Sequence, residues 1–121
     1  MSLHYGGVMI KMYGIPNCDT VKKARKDLDS KGIDYEFVDF KKVGVDKTSI
    51  ERWKKFLGDW PVNKRGRTFR QFKEAFESGT DAAKIKLITE NTSLIKRPVL
   101  EKGKSVLCLG YDVEVYNGIN G

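Results

Sequence analysis

The chain is poor in the residues that build metal sites and disulfide frameworks. Across 121 residues it has one histidine, His4, and two cysteines, Cys18 and Cys108. No CxxC pair and no Cys/His cluster occurs, which argues against zinc, and no metal site is expected. Cys18 and Cys108 stand far apart in sequence, and a structural disulfide is not expected in a reducing compartment. No apolar run approaches the roughly 18 residues that suggest a membrane-spanning helix. The N-terminus lacks the apolar core of a secretory signal. Together these absences predict a cytoplasmic protein with no membrane partner. Residues 1–8 carry two glycines and no periodicity. They read as a flexible leader or an added extension, which leaves His4 out of any site.

What remains is an ordinary composition for one domain with a single core, predicted over residues 9–121. The formal charge is +7, which favours small anions, acidic partners or nucleic acid. It is unevenly spread: between Lys47 and Arg70 there are eight Lys or Arg against two acids, Glu51 and Asp59. A solvated basic helix face explains that run as well as a binding surface does.

The stretch Tyr13 to Lys26, YGIPNCDTVKKARK, organises the rest. Met9 to Tyr13 is an apolar run, predicted as a buried strand. Gly14 to Asn17 form a turn. After Cys18 the apolar positions switch to helical spacing at Val21, Ala24 and Leu28. A cysteine therefore sits where a strand turns into a helix, facing amides that have no partner inside the helix. Those amides favour a thiolate over a thiol.

Gly32 reads as the helix stop. Ile33, Tyr35 and Phe37 alternate with acids, which predicts a half-buried second strand, parallel to the first with a right-handed crossover. Lys41 to Val45 reads as a loop. Thr48 with Glu51 fits a capping box, opening a helix with Ile50, Trp53, Phe56 and Leu57 on one apolar face and Gly58 at its end. KRGRTFR, residues 64–70, reads as a basic loop, with Thr68 capping a helix through Phe69, Phe72 and Phe76. Thr80 and Asp81 start another helix, to about Asn91. Val99 to Glu101 and Ser105 to Leu109 form a hairpin around Lys102-Gly103, and Asp112 caps a last short helix. The order is β-α-β, a helical insertion at about 46–92, then β-β-α: an α/β fold with a small mixed sheet of four strands.

YGIPNCDTVKKAR, NKRGRTFR and LIKRPVL, in this order and spacing, resemble the ArsC/Spx family. The resemblance runs from about Met9 to Tyr116 and implies a thioredoxin-like fold with a helical insertion. The members with NCDT and then an apolar residue are described as bacterial, arsenate-reductase-like proteins. It therefore implies a thiol oxidoreductase with Cys18 as catalytic nucleophile; separately, a monomer is expected. No bound cofactor is implied. Glutathione is the implied co-substrate, beside a small oxyanion or disulfide substrate, and glutaredoxin is a further implied partner. The resemblance also assigns Arg65 and Arg97 to oxyanion or glutathione binding and makes Pro98 a cis-proline facing the cysteine. Lys104 is the nearest match to a third basic residue of arsenate reductases. The Spx regulators, which bind RNA polymerase, supply the alternative reading. Their CxxC switch cannot form here, because Val21 stands where the second cysteine would be.

Each candidate also has a structural explanation. Cys18 fits a small apolar residue near a helix cap. Asn17 and Thr20 are explained by turn and helix-start chemistry, with a hydrogen bond to bound substrate as a secondary role. Arg65 and Arg97 fit the surface as well as a site, and Arg67 and Arg70 are expected to face solvent. Cys108 lies in the apolar run Val106 to Leu109 and is expected in the core, not as a resolving thiol. Trp53, Trp60 and Phe69 interleave with the basic run, as in single-strand nucleic-acid readers, but Trp53 falls on an apolar helix face. A helix terminus is worth about 0.3–1 kcal/mol to a nearby charge, up to about 2 when partly buried. That barely brings a thiol from about 8.5 to neutrality, so a neighbouring arginine is expected at Cys18.

Overall fold

The computed structural model describes residues 9–119. The expected leader with His4 lies outside the described residues. In chain order the elements are β1 (Ile10–Gly14), α1 (Asp19–Ser30), β2 (Glu36–Asp39), α2 (Phe40–Val43), α3 (Lys47–Leu57), α4 (Arg67–Ser78), α5 (Asp81–Glu90), β3 (Val99–Lys102), β4 (Ser105–Leu109) and α6 (Val113–Asn117), with a 3-10 turn at Thr92–Leu94. The described residues divide into two compact units, residues 9–39 with 97–119, and residues 40–96. The expected insertion at 46–92 falls inside the second.

The first unit holds the sheet, in the order β2-β1-β3-β4. β1 and β2 are parallel, as a βαβ crossover requires, and β3 is antiparallel to both β1 and β4. Alternate residues of β1 point inward, so Ile10 and Met12 join Val21, Ala24 and Leu28 of α1 in one core. Leu100, Cys108 and Tyr116 complete it from β3, β4 and α6. Gly14 ends β1 where α1 comes closest: a Cβ there would stand 3.0 Å from a methyl of Val21. Glycine therefore lets the helix start pack directly on the strand end.

The second strand starts later than its alternation predicts, at Glu36 instead of Ile33. The cause lies at the end of α1. Gly32 takes a left-handed φ of 67°. Its amide donates to the Asp29 carbonyl at 3.1 Å, and the Ile33 amide donates to Leu28 at 3.0 Å. These are the two bonds of a Schellman motif, and Ile33 is the residue that packs back on the last helical turn. Ile33 is buried by closing the helix, not by pairing in the sheet.

In the second unit, the expected loop at Lys41 to Val45 is largely taken by α2, closed by the Gly44 amide donating to Phe40 at 2.8 Å. The helix predicted to start at Thr48 is capped instead by Asp46, whose carboxylate accepts from the Ser49 amide at 2.8 Å. Aspartate is a stronger N-cap than threonine, and Val45 and Ile50 occupy the positions of a hydrophobic staple. Ile50 and Trp53 are fully buried, whereas Phe56 is 49% and Leu57 37% exposed. Half of the predicted apolar face therefore meets solvent. Gly66, not Thr68, is the N-cap of α4. Its amide donates to the Asn63 carbonyl at 3.0 Å, and a Cβ at this position would crowd the Asn63 side chain. Phe69 and Phe76 are buried, as expected, and their rings meet edge to face at 5.6 Å. Thr80 caps α5 as expected, its hydroxyl accepting from the Ala83 amide.

Candidate functional site

Cys18 is the N-cap of α1, with extended backbone angles of φ −140° and ψ 124°. Its carbonyl accepts the first helical bond, from Lys22, at 2.9 Å. Its side chain packs against the core of the first unit yet keeps some exposure. The sulfur lies at the helix entrance, where the amides of Val21 and Thr20 point at it. They act on a thiolate as converging dipoles, without forming a cap bond of ordinary side-chain geometry.

Arg97 stands two residues before β3, which lies beside β1 in the sheet. The residue is half buried, and its guanidinium lies close enough to the Cys18 sulfur to act on a thiolate both as donor and as positive charge. Partial burial pushes the Cys18 thiol up. The Val21 amide, the Arg97 hydrogen bond and charge, and the Thr20 amide together outweigh it and hold the thiol below its ordinary value. The balance follows the physics of each contribution: desolvation disfavours the charged form, while donors and positive charge favour it.

The Arg97–Pro98 peptide bond is cis, as the resemblance implies. Pro98 is buried, and its carbonyl accepts from the Gly110 amide at 2.8 Å. Asn17 and Thr20 are both exposed beside Cys18. The Asn17 side-chain oxygen accepts from the Lys22 ammonium at 3.4 Å, and Thr20 acts on the sulfur through its backbone amide. Cys18, Arg97, Pro98, Asn17 and Thr20 all belong to the first unit.

Arg65 belongs to the second unit. It is exposed and lines a groove with Asp59, Trp60, Lys64 and Lys96. Its assignment to the cysteine rests on the family resemblance alone. Lys104 is exposed in the hairpin turn. Cys108 is 6% exposed, and its thiol donates to the Gly110 carbonyl at 3.1 Å, which fits the expected core role. Trp53, fully buried, is core and not a stacking platform. Among the described residues no cluster of His, Cys, Asp or Glu is arranged to hold a metal, and no helix is long and apolar enough to cross a membrane.

The motif reading missed the environment of Trp60. Its ring meets Phe76 edge to face at 5.9 Å, and the Lys54 ammonium sits 4.3 Å from its centroid. The sequence signal was only the Trp60-Pro61 break, which says nothing of partners 6 and 16 positions away.

A sequence profile of the ArsC family matches residues 13–119. An uncharacterised protein from Haemophilus influenzae is 37% identical over 111 residues, which span 89% of this chain and 96% of that one. Two solved structures are also similar. The YffB protein is 38% identical, with a TM-score of 0.78 over 90% of this chain and 96% of that chain. An arsenate reductase (ArsC) related protein from Brucella melitensis is 39% identical, with a TM-score of 0.68 over 92% of this chain and 96% of that chain. Mixed sheet, helices and these likenesses agree on the thioredoxin-like α/β fold.

Proposed function

The chain belongs to the ArsC family, and from that membership we propose that it is a thiol oxidoreductase with Cys18 as nucleophile and glutathione as reductant. The observation that carries the proposal is the Arg97 guanidinium on a Cys18 sulfur that also faces the helix-start amides. A partly exposed cysteine in an electropositive setting is the arrangement of a reactive thiolate. Similar solved structures are described as a possible arsenate reductase from Streptococcus mutans and as an ArsC-related protein, which supports the same class of chemistry.

With a disulfide substrate, the Cys18 thiolate attacks one sulfur. A Cys18–substrate disulfide forms and the second substrate sulfur leaves as a thiolate, which takes up a proton. A glutathione thiolate then attacks the substrate sulfur, forming a glutathione–substrate disulfide and returning Cys18 as a thiolate. With an oxyanion, the thiolate displaces a hydroxide, which leaves as water. Glutathione attacks the Cys18 sulfur, and the bonding pair stays with the oxyanion centre, which is thereby reduced by two electrons. A second thiol, from glutathione or glutaredoxin, clears the resulting Cys18–glutathione disulfide. Arg97 serves both routes by holding the charge on sulfur and the anionic groups of substrate or glutathione. Cys108 takes no part: its buried thiol is turned to the Gly110 carbonyl.

The test is turnover of a low-molecular-weight disulfide and of arsenate with glutathione, by the wild type, Cys18→Ser and Cys108→Ser. Loss in Cys18→Ser with retention in Cys108→Ser supports the proposal. Equal turnover by wild type and Cys18→Ser overturns it, and no turnover by the wild type leaves a binding role, such as docking on RNA polymerase.

A further inference from the structure

The net charge of the chain resides entirely in the helical unit. Residues 40–96 hold 14 Lys or Arg against 7 Asp or Glu, whereas the rest of the chain holds nine of each. The redox unit is electrically balanced, and the helical unit carries all of the +7.

That excess frames a groove of about 630 Å³ in the helical unit, and the groove has apolar as well as basic walls. Leu57, Trp60 and Val62 supply the apolar part, and Lys64, Arg65 and Lys96 the cations. Asp59, the one acid in the lining, is bound to Lys64 at 2.7 Å and cancels it. Arg65 and Lys96 pair with no carboxylate among the described residues. The Trp60 ring that borders the groove has Lys54 at 4.3 Å and Lys84 at 5.7 Å from its centroid. Two uncompensated cations, with two more ammoniums around an indole, face an apolar strip.

We propose that this groove is a docking site for an acidic peptide segment carrying apolar side chains, on a partner protein. Charge complementarity selects an anionic partner, and the accessible apolar walls at Leu57 and Trp60 select one that also buries hydrocarbon. A nucleic acid matches the charge but not the rest. The Trp60 ring is already engaged by two ammoniums and by Phe76, so a stacking base would have to displace them. The groove includes neither Cys18 nor Arg97; it does include Arg65, which the family resemblance assigns to anion binding, and the test below therefore leaves Arg65 unchanged.

The probe is a fluorescent ten-residue peptide of Glu and Asp with Phe and Leu at its centre, titrated with the full chain at low and at physiological salt. Three comparisons decide the outcome. Replacing Phe and Leu of the peptide with Ser is expected to weaken binding about tenfold. Lys54→Glu with Lys96→Glu is expected to weaken it at least tenfold, while Lys23→Glu with Lys26→Glu, the same charge change on exposed residues of the redox unit, leaves it within twofold. A single-stranded oligonucleotide of equal charge is expected to bind more weakly than the peptide. Circular dichroism of both variants and a Leu57→Ser variant, expected to lose about threefold, separate misfolding from lost contact. Absent peptide binding at low salt, equal losses from both double variants, no dependence on Phe and Leu, or tighter oligonucleotide binding would each overturn the proposal. None of these outcomes bears on Cys18 turnover.

Discussion

Arg97, two residues before β3, sets its guanidinium close enough to the sulfur of Cys18, the residue before α1, to favour the thiolate as donor and as charge. The two are 79 positions apart in the chain. The sheet makes them neighbours: β1, which leads to Cys18, pairs directly with β3, with Tyr13 opposite Val99. The charge relation at the site is therefore a product of strand order.

Replacing Arg97 with Ala removes both the donor and the charge. Thiol-dependent turnover is expected to fall about 10- to 100-fold, matching the roughly 1.5–3 kcal/mol of a hydrogen bond to a charged group. Arg97→Lys keeps the charge without the planar fork and should fall between the two. Steady-state kinetics with glutathione, with circular dichroism as a check on folding, measures this. An Arg97→Ala enzyme as active as wild type would remove Arg97 from the proposal.

Cys18→Ser is expected to abolish turnover and to leave the melting temperature at neutral pH nearly unchanged, because the side chain is partly exposed at the edge of its core. The pH dependence of the difference in stability has a definite sign. The thiol is lowered in the folded state relative to its ordinary value, so the folded state favours the thiolate. Its contribution is fully present above the unfolded thiol value, about 8.5. It is lost as pH falls through the lower folded value. Denaturant midpoints of wild type and Cys18→Ser should therefore diverge as pH rises through that window, with wild type gaining. A gap that widens toward acid instead would contradict the assigned direction.

Asp46 and Thr48 separate two readings of where α3 begins. Asp46→Ala removes the observed cap and should cost about 0.5–2 kcal/mol. Thr48→Ala, inside the helix, should change stability by less than about 0.5 kcal/mol. Urea titration decides. A larger loss for Thr48→Ala would restore the Thr48–Glu51 capping box.

Trp53 and Phe56 looked equivalent on one helical face, yet one is fully buried and the other half exposed. Trp53→Ala should cost about 3–5 kcal/mol. Phe56→Ala should stay within about 0.5 kcal/mol. Equal losses in thermal unfolding would mean that Phe56 is buried in solution.

Much of this was legible in the sequence for identifiable reasons. The strand–turn–cysteine–helix stretch is local chemistry: Gly14, the β-to-helix change of period and Val21, Ala24 and Leu28 all point to the same boundary. The Gly58 and Thr80 caps are equally local. Ile33 was misread because alternation counts side chains and cannot tell a strand residue from one folded back by a Schellman turn. Phe56 and Leu57 were misread because helical spacing marks an apolar face without showing whether anything covers all of it. Arg97 carried no local signal of its role. Its relation to Cys18 depends on β1 pairing with β3, and only the family resemblance anticipated it. The Lys54–Trp60 contact was invisible for the same reason: it is made by the packing of the helical unit, not by a motif.

The central claim is that Cys18 is held as a thiolate by Arg97 and the helix-start amides. It is tested most directly by the rate of Cys18 alkylation with iodoacetamide against pH, in a Cys108→Ser background so that one thiol is read. The account predicts a midpoint below the ordinary thiol value of about 8.5 that rises when Arg97 is replaced with Ala. A midpoint at or above 8.5, unmoved by that replacement, would contradict it.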